Sequence, residues 1–213
     1  MNRLRIRFKR GDEVKFISHL DLIRLWQRAL RRAGVMLAYG EGFNPHPRLS
    51  LAAPLALGVT AEAELMDVYI VQPLSTPAFA AMVGPQLPRG VEIARVYPIA
   101  LEAPSLQSQV RFAEYQVRVT AVSADDLELA LVSLMARQSL PWQHQRDTGI
   151  KCYDLRKLID RLWLAGYDSG VAVIGMKLRC DSEGAGRPEQ VVKALGLDTP
   201  LAIHRTRLIL QGG

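Results

Sequence analysis

Residues 3–10 alternate without a break: Leu4, Ile6 and Phe8 fall on one side, Arg3, Arg5, Arg7 and Lys9 on the other. A period of two is that of a β-strand with one face in a core. Such a strand cannot stand alone. Its apolar face needs a second layer, and its cationic face repels itself unless acidic neighbours or a ligand offset the charge. The next stretch supplies a second layer. Ser18 is a good helix N-cap, and Asp21 three residues on makes a capping-box variant. Leu22, Leu25, Trp26, Ala29, Leu30 and Ala33 then recur at helical spacing as one buried stripe. Arg24, Arg28, Arg31 and Arg32 fall off that stripe, in water, and Gly34 ends the helix.

Further along, 35–39 reads as extended, 40–48 as a Gly/Pro loop, and 49–57 as an apolar run ending at Gly58. A strand over 65–71, a short helix over 79–83 and a strand over 91–96 follow. The order is strand, helix, strand, strand, helix, strand. Pro98, Pro104 and the polar residues up to 109 read as a linker. The pattern then restarts. A strand over 113–122 leads to Ser123, which caps a helix over 124–138, with Asp125 and Asp126 in its first turn where the dipole favours them. Residues 141–146 read as a strand, 150–164 fit a short helix or a strand, and 171–179 is a strand. Pro188 opens a helix that stops at Gly196, and 201–210 is the last strand. The expected fold is α+β, with two tandem ferredoxin-like (βαββαβ) halves built on antiparallel sheets. Residues 1–98 form the first half, 99–111 a linker, and 112–213 the second.

Composition narrows the function. The chain has 213 residues, 49% of them hydrophobic, so it is globular and able to bury a core. No apolar run is long enough to cross a bilayer. The start, with arginines at 3, 5 and 7, lacks a signal peptide's apolar centre, so the expected location is cytoplasmic. Cys152 and Cys180 are too few and too far apart for a disulfide framework or a zinc site. Net charge is +6, and only six of the 27 basic residues are lysines, leaving 21 arginines. Guanidinium binds phosphate through a bidentate fork and stacks on bases, so a polyanionic partner, RNA first, is the natural inference.

Residues 16–50 are the most site-like stretch. His19, Asp21 and His46 suggest a metal site or a general acid/base pair with an orienting carboxylate, although the spacing matches no zinc pattern. His19 and Asp21 do not share a helix face, so capping alone also accounts for one of them. Phe43 and Tyr39 flank the loop and are suited to stacking on a base. Gly184 and Gly186 before a helix suggest either a phosphate approach or a plain turn; no P-loop lysine follows. His144 and His204 read as structural, in strands.

The motif 16–22 (Phe-Ile-Ser-His-Leu-Asp-Leu), the helix end 28–34 and the loop 42–50 (Gly-Phe-Asn-Pro-His-Pro-Arg-Leu-Ser) resemble the radical-SAM-linked proteins, also catalogued as DUF2344. The resemblance continues through 55–58, 64–67, Asp154-Leu155-Arg156 and Arg187-Pro188 to Gly196. Lys157 stands where the pattern has proline. The resemblance implies a radical-SAM partner, which would carry its own iron–sulfur cluster and S-adenosylmethionine. This chain has no Cys-x3-Cys-x2-Cys, so no cofactor is expected in it. Family genes also tend to lie near RNA-processing genes.

The expected function is an RNA-binding accessory protein, not itself catalytic, that presents ribosomal or transfer RNA to a radical-SAM modification enzyme. Arg3, Arg5, Arg7, Arg24, Arg28, Arg31, Arg32 and Arg48 would contact phosphates, and Phe43, Asn44 and the loop to His46 would add a specific contact. Two alternatives stand beside it. One is a metal-independent ribonuclease using His19 or His46, by fold analogy to tandem ferredoxin-like CRISPR nucleases. The other is a protein-only partner of the radical-SAM protein.

Overall fold

The computed structural model describes residues 1–43, 45–146 and 149–212. The chain divides into two units: Met1–Val110 with Leu210–Gly212, and Arg111–Ile209.

In the first unit, β1 (Asn2–Arg10) leads through a turn to α1 (His19–Arg32). Then come β2 (Leu49–Leu51), β3 (Thr60–Ile70), α2 (Thr76–Val83), β4 (Val91–Ile99) and the one-turn α3 (Leu106–Gln109). The strands lie in the order β2-β3-β1-β4, every pair antiparallel. Leu4, Ile6 and Phe8 pack with Leu22, Trp26 and Leu30 of α1 and with Phe79 and Val83 of α2 in one core. Each such fully buried side chain contributes about 1.5–3 kcal/mol. The Phe8 and Trp26 rings meet edge to face, 5.0 Å between centroids. Ser18 accepts the Asp21 backbone N–H at 3.1 Å, so the cap is as expected from sequence. Gly34, at φ +70°, makes the left-handed exit from α1 that a side chain would strain.

Two stretches differ from expectation. β3 starts at Thr60 rather than 65, because Ala61 and Ala63 are buried there and small residues carry little strand signal. The expected linker is packed into the first unit. Ile99 closes β4, Leu106 is fully buried in α3, and Gln107 Nε2 donates to the Leu51 carbonyl at 2.9 Å.

The second unit runs β5 (Val110–Thr120), α4 (Ala124–Ala136), β6 (Pro141–Arg146), β7 (Gly149–Asp154), β8 (Ile159–Asp168), β9 (Val171–Asp181), β10 (Gly184–Ala185), α5 (Pro188–Ala194) and β11 (Ala202–Leu210). β8 and β5 flank β9 in antiparallel ladders, and β11 neighbours β5. Leu201 N–H meets the Arg118 carbonyl while Thr206 Oγ1 meets that of Glu114, the antiparallel sense. The ambiguous residues 150–164 resolve into hairpin strand β7, a 3-10 turn over Leu155–Leu158, and half of β8. Trp163 lies across from Gly175, where a Cβ would come within 1.9 Å of the indole; only glycine leaves that space. Each unit is a mixed α+β fold on a mostly antiparallel sheet. Among the described residues no helix is long and apolar enough to cross a membrane.

Candidate nucleic-acid interface

The arginine face of β1 is not the open cationic ladder its pattern suggests. Arg3 is 2% exposed and Arg5 7%. Both close on Asp67, the cross-strand partner of Arg5 in β3, which is wholly buried. Arg3 Nη2 lies 2.6 Å from Oδ2 and Arg5 Nε 2.7 Å from Oδ1. Arg3 donates further to the carbonyls of Ala103 and Pro104, at 2.6 and 2.8 Å. The segment before α3 is thereby fastened over this part of the sheet. Fully committed donors suit a buried guanidinium, whose desolvation is costly unless every N–H finds an acceptor. Arg3 and Arg5 are therefore corrected: they hold the fold and are closed to phosphate. Arg7, the next arginine on that face, is exposed and faces Arg95 of β4 across the ladder.

The start of α1 is set by Arg10, 1% exposed at the end of β1. Its guanidinium donates to the carbonyls of Val14, Lys15 and Ile17, at 3.2, 3.0 and 2.7 Å. This anchors the loop that delivers Ser18 and His19. His19 is half-buried, and burial, then the positive charge of Arg10, lowers its pKa below the ordinary histidine value; Glu64 pulls the other way. Asp21 serves the cap. Its carboxylate accepts from Ser18 Oγ at 2.7 Å and Arg24 at 3.3 Å, and the Ser18 hydrogen bond holds its pKa below the usual carboxylate range. The charges that act on His19 are thus those of Arg10 and Glu64, while the bonds of Asp21 run to Ser18 and Arg24. Arg10 and Glu64 escaped the sequence reading; the one local signal was the arginine placed just before the Gly11-Asp12 turn.

Arg24, Arg28, Arg31 and Arg32 all lie on the exposed face of α1, as the stripe requires. Arg24, Arg28 and Arg31 are spaced four and three apart, one row about 10 Å long on the helix surface. Beside the end of this row runs a groove of about 380 Å³, lined by Gln27, Arg31, Met36, Leu37, Tyr39 and Pro47. The loop that forms its far wall is braced to the sheet. Gly40 N–H donates to the His46 carbonyl, Arg48 N–H to that of Ala38, and Tyr69 N–H to that of Arg48. The structure thereby brings the arginine helix and the Gly/Pro loop together through Arg31, Tyr39 and Pro47. Tyr39 is 53% exposed. Phe43 and His46 stand in water on the loop, and Arg48 is exposed with its guanidinium 4.1 Å from the Tyr69 ring centre. Asn44 lies outside the described residues. Because Leu4, Ile6 and Phe8 face α1, Arg7 lies on the opposite side of the sheet from the α1 row.

Gly184 and Gly186 have a packing reason. A Cβ on Gly184 would come within 2.6 Å of Leu158 Cδ2, and one on Gly186 within 3.0 Å of the Leu158 carbonyl. Cys152 is exposed and Cys180 half-buried. Among the described residues, no three His, Cys, Asp or Glu side chains are grouped to hold a metal ion.

Fold and groove together define an α+β protein with an arginine-edged, tyrosine-walled groove in its first unit. The chain belongs to the family described as "uncharacterized protein conserved in bacteria (DUF2344)", which it matches over residues 3–188. No curated protein is similar enough to match. Among solved structures, 97% of the chain superposes on a chain of the crystal structure of a Cbf5-Nop10-Gar1 complex, with TM-score 0.51 and 8% identity. A second similar chain is in the archaeal box H/ACA sRNP Nop10-Cbf5 complex, covering 98% of this one with TM-score 0.50 and 9% identity. The chain spans about half the length of these structures, 48% of each. At such identities the likeness is one of fold.

Proposed function

We propose that this chain is an RNA-binding accessory protein that presents ribosomal or transfer RNA to a radical-SAM modification enzyme, which brings its own iron–sulfur cluster and S-adenosylmethionine. The observation that carries the RNA part is the groove where Arg31 of the α1 row faces Tyr39 and Pro47 of the loop. Arg24, Arg28, Arg31 and Arg32 would track successive phosphates of a single strand, and Tyr39 would take a base on its ring face. Phe43 and Arg48 extend the same surface along the loop. The occurrence of a similar fold in a box H/ACA sRNP agrees with this reading. The partner enzyme rests on the motif resemblance alone. The strand orders β2-β3-β1-β4 and β8-β9-β5-β11 support reading both units as ferredoxin-like, the first from a strand-helix-strand-strand-helix-strand segment and the second from the same series with the β6–β7 hairpin and β10 added.

Fluorescence anisotropy with tRNA and rRNA fragments at two salt concentrations tests it. Four phosphate contacts predict a log–log salt slope of roughly −3. Arg31→Glu with Tyr39→Ala, folded by circular dichroism, is expected to lose binding. Wild-type protein that binds neither RNA sinks the proposal, and a pull-down with the radical-SAM protein then tests the protein-only alternative. A ribonuclease reading is favoured by His19, which burial and Arg10 keep neutral near pH 7, the form that accepts a proton. His19→Ala or His46→Ala would then abolish cleavage while leaving binding intact.

A further inference from the structure

The second unit holds a cleft of about 330 Å³ of a different character. His144 and Lys151 reach it from the β6–β7 hairpin, Lys157 from the 3-10 turn, and Arg179 and Arg187 from either side of β10. Two carboxylates also line it, and both are committed. Glu183 pairs with Arg179, which Asp181 also holds at 2.8 Å. Asp154 accepts the backbone N–H groups of Leu140 and Arg156, at 2.8 and 3.0 Å. Among the described residues, no carboxylate lies within ion-pair distance of Lys151, Lys157 or Arg187. Lys151, Lys157, Arg179 and Arg187, set against Asp154, Glu183 and the Asp181 beside Arg179, leave the cleft about one positive charge in excess, which favours a phosphate anion.

The walls are preformed. Gly184 and Gly186 hold the β9–β10 turn against Leu158, and Asp181 Oδ1 accepts the N–H groups of Glu183 and Gly184. Tyr153 donates its hydroxyl to Gln190 Oε1 at 2.6 Å, tying the hairpin to α5. Arg187 Nη1 lies 3.0 Å from His144 Nε2. A guanidinium only donates, so in this contact Nε2 is the acceptor and the imidazole orients the arginine at the cleft. We infer that this cleft binds a phosphate group, and its volume suits a ligand of mononucleotide size. The site is independent of the α1 groove.

The test is calorimetric titration of the full chain, at constant ionic strength, with inorganic phosphate, a nucleoside 5′-monophosphate, and glutamate as the carboxylate control. Saturable binding of the phosphate compounds and none of glutamate is expected. Arg187→Gln with Lys151→Gln should weaken it at least roughly tenfold. Arg207→Gln, which removes a cation paired with Glu114, should leave it unchanged. If the double variant fails to fold, Lys157→Gln alone should weaken binding several-fold. RNA oligonucleotides with and without a 5′-phosphate separate the sources: dependence on the terminal group assigns a monoester, and indifference to it, with loss in the variant, a backbone diester. No saturable binding, glutamate matching phosphate, or binding untouched by the cleft substitutions overturns the inference. Mononucleotide binding without binding at the α1 groove keeps it and sinks the RNA reading; the converse sinks this inference alone.

Discussion

Arginines on β1 and on α1 have opposite fates. On β1, Arg3 and Arg5 are drawn inside by one carboxylate, Asp67, and spend their other donors on backbone carbonyls. On α1, four arginines lie on the water side of a helix whose other face is core; Asp21 is the one carboxylate their ion pairs reach among the described residues, and Arg32 also donates to Gln86. The same side chain serves cohesion in one place and leaves charge available in the other. What decides is the neighbouring strand: an acid across the ladder turns a cationic stripe into an internal ion-pair cluster. Only the second kind of arginine can bind a polyanion without unfolding something first.

Asp67→Ala would break the contrast most severely. It strands two buried guanidinium groups and should cost about 3–5 kcal/mol, read from urea midpoints. Tyr39→Ala sharpens it from the other side. RNA affinity should fall by about 1–3 kcal/mol, the worth of one stacked base, with the thermal midpoint unchanged. Ser18→Ala, which removes the α1 cap beneath the arginine row, should cost about 1 kcal/mol. Arg24→Ala should change stability by no more than about 0.5 kcal/mol, since its pair with Asp21 is exposed; a larger loss would mean that α1 arginines also hold the fold. His19 adds a pH dependence. Its lowered pKa contributes stability that is complete above the ordinary value near 6.5 and is lost as pH falls below it, because the unfolded chain takes the proton more readily. His19→Gln should flatten that decline as pH falls through and below the ordinary histidine value, read in denaturation midpoints.

What the sequence displayed was local. Ser18, the stripe from Leu22 to Ala33 and Gly34 specify α1 within seventeen residues, and the helix formed as they require. The alternation of β1 correctly marked Leu4, Ile6 and Phe8 as core. The fate of Arg3 and Arg5 depended on Asp67, more than sixty positions away, and no periodicity within β1 reports on that. The stretch before Val110 read as a linker because its prolines and polar residues outweigh Leu106, whose burial needs the finished first unit. β8 was hidden for a similar reason: Trp163 makes sense only opposite Gly175. The groove combines two motifs that the sequence did display, but the meeting of Arg31 with Tyr39 and Pro47 is a product of the fold.

Trp26 carries a consequence of an optical kind. It is the sole tryptophan of the first unit, Trp142 and Trp163 belonging to the second. Its ring is wholly buried against Phe8, and among the described residues its indole N–H has no hydrogen-bond partner. An indole in that dry, apolar setting emits at short wavelength and shifts to the red when water enters. With Trp142 and Trp163 replaced by phenylalanine, the emission spectrum becomes a built-in gauge of whether the first unit opens alone or together with the second.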